Sequence, residues 1–422
     1  MTRSVNSVMD KLGVAWKELV RPGERVLLKP NFIRESHTHR PEEWEQIITH
    51  GSVIAAVAME VAGAMEGRGT ITIADAPQTD SDFGKICERA RIAQLQDRLA
   101  RKFPGLKFEV IDLRREAWRT ERGVIVERRK LPEDPRGYTL VNLGEKSCFH
   151  GKKGKFYGAD YDTAFTETHH SNGAHEYLIS RSVMDADVFI NLPKLKTHKK
   201  VGVTLSLKNL VGINGDKNYL PHFCIGTPDE GGDEFPRSDA ATKFQSRAIS
   251  AFKAVARRSG AVTRFWAPVA KRVGSKVFGD TSKVVRSGNW HGNDTTWRMV
   301  LDLNKALFHF DGEGKPRQQP RRYLSIIDGI IAGEGNGPME ADAKPCGLLI
   351  AGTNPVATDF IATRLMGFDW RQIPTLREAF KIDDLKLADF SLDEIEVLPE
   401  LGQTFQFAPH FGWRDHIEAS TK

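Results

Sequence analysis

Two hydrophobic periods alternate along this chain, and that alternation limits its fold more than any other feature. "ERVLLKPNF" is a short apolar run closed by polar residues, the pattern of a buried strand. "GSVIAAVAMEVAGAM" follows with apolar residues at helical spacing and a serine near its start. "GTITIADAP" is a second strand ending at Asp75, a helix is expected over 82–102, and "LKFEVIDL" is a third strand. Strand–helix–strand order implies a parallel sheet with helices on its faces, and such sheets hold ligands at the carboxyl ends of their strands. Lys29, Asn31 and Asp75 then share one rim.

The pattern resumes later. "HEYLISRSVMDADVFINLPK" reads as a short helix and a buried strand. From Arg322, "YLSIIDGII" is a strand and "GEGNGPMEADAK" a glycine-rich loop. "CGLLIAGTN" is another strand, and "PVATDFIATRLMG" is a helix opened by proline and closed by glycine. The expected fold class is α/β, with two lobes on mainly parallel sheets, flanking helices and a basic helical insertion. The expected divisions are 1–239, an N-terminal α/β lobe; 240–285, the insertion; and 286–422, a C-terminal α/β block completing a cleft.

The 422 residues carry a formal net charge of +6, which favours anionic partners. Much of that charge sits in 240–283, where ten Lys and Arg face Asp280 alone and apolar residues recur at roughly helical spacing. Such a segment suits an anionic membrane surface, or equally packs as a solvated hairpin on the body. The four cysteines are scattered without a C-x-x-C pair, so an iron–sulfur cluster is not expected. No window approaches the ~18 apolar residues of a spanning helix, and the N-terminus does not read as a signal peptide. A cytoplasmic protein is expected, peripheral on a membrane if the insertion meets lipid.

The densest chemistry lies in "NLPKLKTHKKVGVTLSLKNLVGINGDKNYLPH", 191–222. Pro193 is expected to stop a strand and start a loop presenting Lys194, Lys196, His198, Lys199 and Lys200. Lys194 and Lys196 alternate with Leu195 and Thr197, so they point the same way and suit a phosphate or carboxylate. Lys208 lies among Leu205, Leu207, Leu210 and Val211. A lysine in apolar surroundings loses basicity and becomes a base or nucleophile, unless it snorkels to water. His198, Lys208 and His222 are the catalytic candidates. Lys29, Asn31, Lys194, Lys196, Asn209, Asn289, Asn293 and Asn336 are the substrate-binding candidates. Asn289 and Asn293 come from "GNWHGNDTTWR", which starts a helix at Asp294 or Thr295. Asp328, Glu334 and Asp359 are candidate ligands of a divalent metal. No motif for a nucleotide cofactor, a serine hydrolase or a zinc protease stands in its required context. The basic residues are not interleaved with an RNA-binding aromatic motif, so nucleic acid is not an expected partner.

On "VLLKPNF", "DADVFINLPKLKTHKKVGVTLSLKNLVG", the histidine of "YLPH", "IIDGIIAGEGNGP" and "LLIAGTNPVATDFIATRLMG", the chain resembles the domain-of-unknown-function family 362. The order His198, Lys208, His222 is also similar to the core of the lactate racemase catalytic-subunit family. There the lysine anchors a nickel pincer cofactor and the site lies between two α/β lobes. This chain has Leu205 and Ser206 where that family has glycines, and it lacks a glycine–histidine pair after "TITIAD". The resemblance implies that Lys208 and His222 face a cleft.

The functional expectation is an enzyme acting on an anionic substrate that bears phosphate or carboxylate, a lipid-linked saccharide among the choices, with or without metal assistance. Racemase- or epimerase-like proton transfer is one alternative. A non-catalytic module binding anionic glycolipid or a membrane complex is the other.

Overall fold

A computed structural model describes residues 1–121, 124–158, 162–248, 285–399, 402 and 404–419. Its centre is an eight-stranded, mainly parallel sheet flanked by helices. The strands are β1 (Arg25–Pro30), β2 (Gly69–Asp75), β3 (Leu106–Asp112), β4 (Val188–Leu192), β5 (Lys194–His198), β6 (Gly202–Val203), β7 (Arg322–Asn336) and β8 (Glu340–Gly352). Across the sheet the order is β3-β2-β1-β4-β7-β8, parallel as far as β7 and antiparallel at β8. The two blocks divided in the sequence at 240–285 thus share one sheet, because β7 of the later block pairs directly with β4 of the earlier one.

Period-2 alternation covers both faces of the sheet. Val26, Leu28, Ile71, Ile73, Val188 and Ile190 turn to one apolar cluster, which includes helix α1 (Gly51–Ala64). Leu27, Phe189, Tyr323 and Ile327 turn to the other. Strands buried on both faces read as continuous apolar runs, which is why these strands were recognisable. Two helices of the second face matter for the site. Helix α3 (Thr296–His309) begins where the side-chain oxygen of Asn293 accepts the N–H groups of Thr295 and Thr296. Helix α4 (Pro355–Leu365) begins at Asn354, whose side chain accepts from Val356 and Ala357.

Three local expectations change. "EYLIS" is a strand, Glu176–Ser180, because Tyr177 and Ile179 alternate inward and the segment pairs with Tyr138–Asn142. Pro193 does not release a loop: the chain continues as buried β5, and both β4 and β5 pair in parallel with β7 (Asn191↔Ser325, Lys194↔Asp328). "GEGNGPMEADAK" is not a loop but the far end of a β7–β8 hairpin. Its glycines answer to neighbouring backbone. A Cβ on Gly337 would lie 2.1 Å from the Thr197 carbonyl, and one on Gly333 would lie 2.9 Å from the Gln46 carbonyl and 3.0 Å from the Lys196 Cβ.

The basic stretch 240–283 lies largely outside the described residues. At its described start, Lys243 pairs with Asp229 and Arg247 with Glu230 at 3.2 Å.

Candidate functional site

Five lysines converge near the carboxyl ends of the strands, and all are buried: Lys29, Lys194, Lys196, Lys208 and Lys217. Lys29 and Lys194 pair with carboxylates. Lys29 Nζ lies 2.8 Å from Asp75 Oδ1, and Asp75 Oδ2 accepts the Phe32 N–H at 2.6 Å. Lys194 Nζ lies 2.8 Å from Asp328 Oδ2, which also accepts the His50 N–H at 2.7 Å. Among the described residues, Lys196 Nζ donates to neutral oxygens, Asn31 Oδ1 at 2.9 Å and the Ile47 carbonyl at 2.6 Å. Burial, with Lys194, Lys208 and Lys29 nearby, holds the Lys196 amine well below the ordinary lysine range, against the opposing pull of Asp75.

Lys208 sits on the short helix α2 (Leu205–Asn209). The helix is held from three directions. Asp359 on α4 accepts the N–H groups of Ser206 (2.7 Å) and Leu207 (2.8 Å). Asn304 on α3 donates to the Leu207 carbonyl at 3.0 Å. A buried amide chain ties it to the sheet: Asn31 donates to Asn209, and Asn209 donates to Asn191 and to the Lys29 carbonyl. Leu205 enters this helix at φ 48°, in the left-handed region that favours glycine, with its side chain fully buried. A non-glycine residue there costs about 1–3 kcal/mol and persists only when its surroundings enforce it. Asp359 and the amide chain are those surroundings.

The Lys208 side chain is only 9% exposed. Its amine has no hydrogen-bond or ion-pair partner among the described residues. Burial first, then Lys217 and Lys29, push its pKa down to about 7. An unpaired buried ammonium is costly, so the group spends much of its time neutral near neutral pH.

Two imidazoles share its surroundings. Burial and then Lys208 lower the pKa of both His198 and His222 well below the ordinary value, so both rings are neutral. Their tautomers are opposite. His198 Nδ1 accepts the Lys200 N–H at 3.0 Å, which leaves the proton on Nε2. His222 Nδ1 donates to the Leu220 carbonyl at 2.8 Å, which leaves a lone pair on Nε2. Neither Nε2 has a hydrogen-bond partner among the described residues. The backbone on either side is clamped. The His222 carbonyl accepts from Asn293 (3.0 Å) and Thr296 (2.6 Å). The Lys199 carbonyl accepts from the buried Trp413 at 2.8 Å. The site therefore offers one donor, one acceptor and one amine, in surroundings rich in positive charge.

The other candidates fall elsewhere or serve the frame. Asn293 caps α3 and holds His222 in place. Asn289 is buried with its Oδ1 unsatisfied. Asn336 lies at the β7–β8 turn, opposite Glu340. The three carboxylates expected to hold a metal have separate partners: Asp328 has Lys194, Glu334 has Lys344 (2.7 Å) and the Ala408 N–H (2.8 Å), and Asp359 has α2. Among the described residues no three His, Cys, Asp or Glu side chains are grouped to hold a metal ion. Lys217, which donates to the Ala76 carbonyl at 2.8 Å, was missed as a candidate although it lies in the same dense stretch. Nothing local in "NGDKNY" distinguishes it from a surface lysine.

The model of a family described as a domain of unknown function (DUF362) matches residues 109–364. The chain belongs to this family. The DUF362 match runs from β3 into α4 and contains Lys194, His198, Lys208, His222 and Asp359, while Lys29 of β1, Asn31 just after it and Asp75 of β2 precede the match. The chain is also similar to a thylakoid-associated protein of Synechocystis sp., 24% identical over 373 residues, covering 88% of this chain and 72% of that protein. Among the described residues no helix is long and apolar enough to cross a membrane.

Proposed function

We propose that the protein is an enzyme that binds an anionic substrate, bearing carboxylate or phosphate, beside Lys208 and exchanges a proton on it through His222 while His198 hydrogen-bonds the developing oxyanion. One observation carries this reading: a nearly buried amine without a partner among the described residues lies in the same surroundings as two imidazole Nε2 atoms of opposite protonation. Positive charge that the protein leaves uncompensated is stabilised by an incoming anion. A neutral His222 Nε2 takes a proton from a carbon next to a carboxylate, and His198 Nε2–H hydrogen-bonds the oxygen on which charge develops. The order His198, Lys208, His222, similar to that of lactate racemases, favours racemase- or epimerase-like chemistry within this reading. The nickel pincer of that family does not fit, because the buried Leu205 side chain fills the place of a glycine.

The test is washing-in of solvent deuterium, read by NMR, for small carboxylates with an acidic α-hydrogen and for their phosphorylated counterparts. Wild-type protein exchanges at least one class. Lys208→Met abolishes exchange and weakens phosphate binding, whereas His222→Gln abolishes exchange while phosphate still binds. Phosphate binding without exchange in either class would leave a binding module.

The thylakoid-associated relative and the basic composition of 240–283 support a second reading, in which the protein docks on an anionic membrane surface. Flotation with anionic vesicles tests it: deletion of 240–283 abolishes flotation, and wild-type protein that never floats contradicts it.

A further inference from the structure

We propose that Lys208 acts as a nucleophile that condenses with the carbonyl group of an anionic aldehyde or ketone to form an imine. The inference rests on the anion site proposed above and names its substrate class. Four features of geometry carry it. The amine stands on a helix fixed by Asp359, Asn304 and Asn209, so little freedom is lost on reaction. It makes no hydrogen bond among the described residues, so none of theirs must break. It is nearly buried yet retains some exposure, which allows a small carbonyl to reach it while little water competes. A proton acceptor, His222 Nε2, and a proton-bearing group, His198 Nε2–H, belong to the same surroundings. The depressed pKa of Lys208 adds a neutral fraction at pH 7 that an exposed lysine lacks.

The step balances without any redox partner. The Nζ lone pair forms a bond to the carbonyl carbon as the C=O π pair moves to oxygen, which His198 Nε2–H hydrogen-bonds. The nitrogen loses a proton through His222 Nε2. That proton passes to the oxygen, a second proton from solvent is relayed to it by His222 Nε2, and the C–O bond breaks as the nitrogen lone pair forms the C=N bond, so that the oxygen leaves as water and a protonated imine remains. The protonated imine then withdraws electrons from the adjacent carbon, which eases removal of its hydrogen. Lys217, whose charge bears on Lys208, supplies positive charge for the anionic group.

Pyridoxal 5′-phosphate is a suitable probe, since it joins an aldehyde to a phosphate. Full-length protein at pH 7 is treated with limiting probe, reduced with borohydride, and mapped by peptide mass spectrometry. Label at Lys208 should exceed that at any exposed lysine by ~10-fold or more, because the neutral fraction is far larger. Inorganic phosphate should protect Lys208, and Lys208→Met should lose that equivalent of label. Label confined to exposed lysines, with Lys208 unmodified, overturns the inference. Phosphate binding followed separately by dialysis separates the two claims. If phosphate binds but Lys208 is never labelled, only the imine falls; if neither occurs, the anion site falls with it.

Discussion

Asp359, on a helix late in the chain, accepts the backbone N–H of Ser206 at 2.7 Å and thereby fixes the turn that carries Lys208. Its second oxygen accepts the Leu207 N–H at 2.8 Å. Replacement with alanine strands two buried donors and releases the left-handed Leu205. Each stranded donor costs about 1–3 kcal/mol, so Asp359→Ala should lose ~2–5 kcal/mol in urea unfolding and should also lose selective labelling of Lys208. Asp359→Asn keeps one acceptor and should retain most of both. A turn unaffected by the alanine variant would show that Asp359 does not hold it.

Lys208 should weaken the fold in a pH-dependent way. Its folded pKa, about 7, lies below the ordinary lysine value of 10.5. Between those values the unfolded chain holds a proton that the folded protein has lost, so stability rises with pH across that window. Below pH 7 the penalty is complete, and at about 1.4 kcal/mol per pKa unit it amounts to several kcal/mol. Lys208→Met should therefore unfold at a higher temperature than wild type at pH 6, with the gap narrowing towards pH 10. A gap of constant size would contradict a depressed pKa.

The Lys194–Asp328 pair is fully buried, so losing one partner leaves an isolated charge. Lys194→Met should cost ~3–5 kcal/mol, as measured for other broken buried pairs. Adding Asp328→Asn removes the stranded charge and should recover most of that loss, as read by denaturant unfolding. A double variant no better than Lys194→Met alone would show that the lysine contributes through something other than this pair.

The imidazoles of His198 and His222 should differ in an NMR spectrum of ¹⁵N-histidine protein at pH 7. His198 should be the Nε2–H tautomer and His222 the Nδ1–H tautomer, both neutral. Adding inorganic phosphate should move both sets of signals. The same tautomer on both rings, or a charged ring at pH 7, would contradict the donor–acceptor pairing.

Local signals carried the sheet and its helices. Val26–Leu28 and Ile71–Ile73 are strands by apolar run, and the helix from Pro355 is marked by its proline and by the glycine beyond it. The β7–β8 hairpin was not legible, because Gly333 and Gly337 answer to Lys196 and Thr197 on a neighbouring strand. The site was legible as a list of residues and not as an arrangement. Lys208 reads as apolar-flanked, yet what seats it is Asp359, 153 residues from Ser206, and Asn304, 97 residues from Leu207. Lys29 and Lys194 read as ligand groups because Asp75 and Asp328 cannot be matched to them from spacing alone. The tautomers of His198 and His222 depend on backbone groups two residues away, which a sequence names without orienting.

The most direct test is the titration of Lys208 itself, followed by NMR of lysine labelled with ¹³C at Cε, with Lys208→Met to assign the signal. The account predicts a midpoint near 7 in the free protein and an upward shift when inorganic phosphate is added, since a bound anion favours the ammonium form. A midpoint near the ordinary 10.5, or one that phosphate does not move, would contradict it.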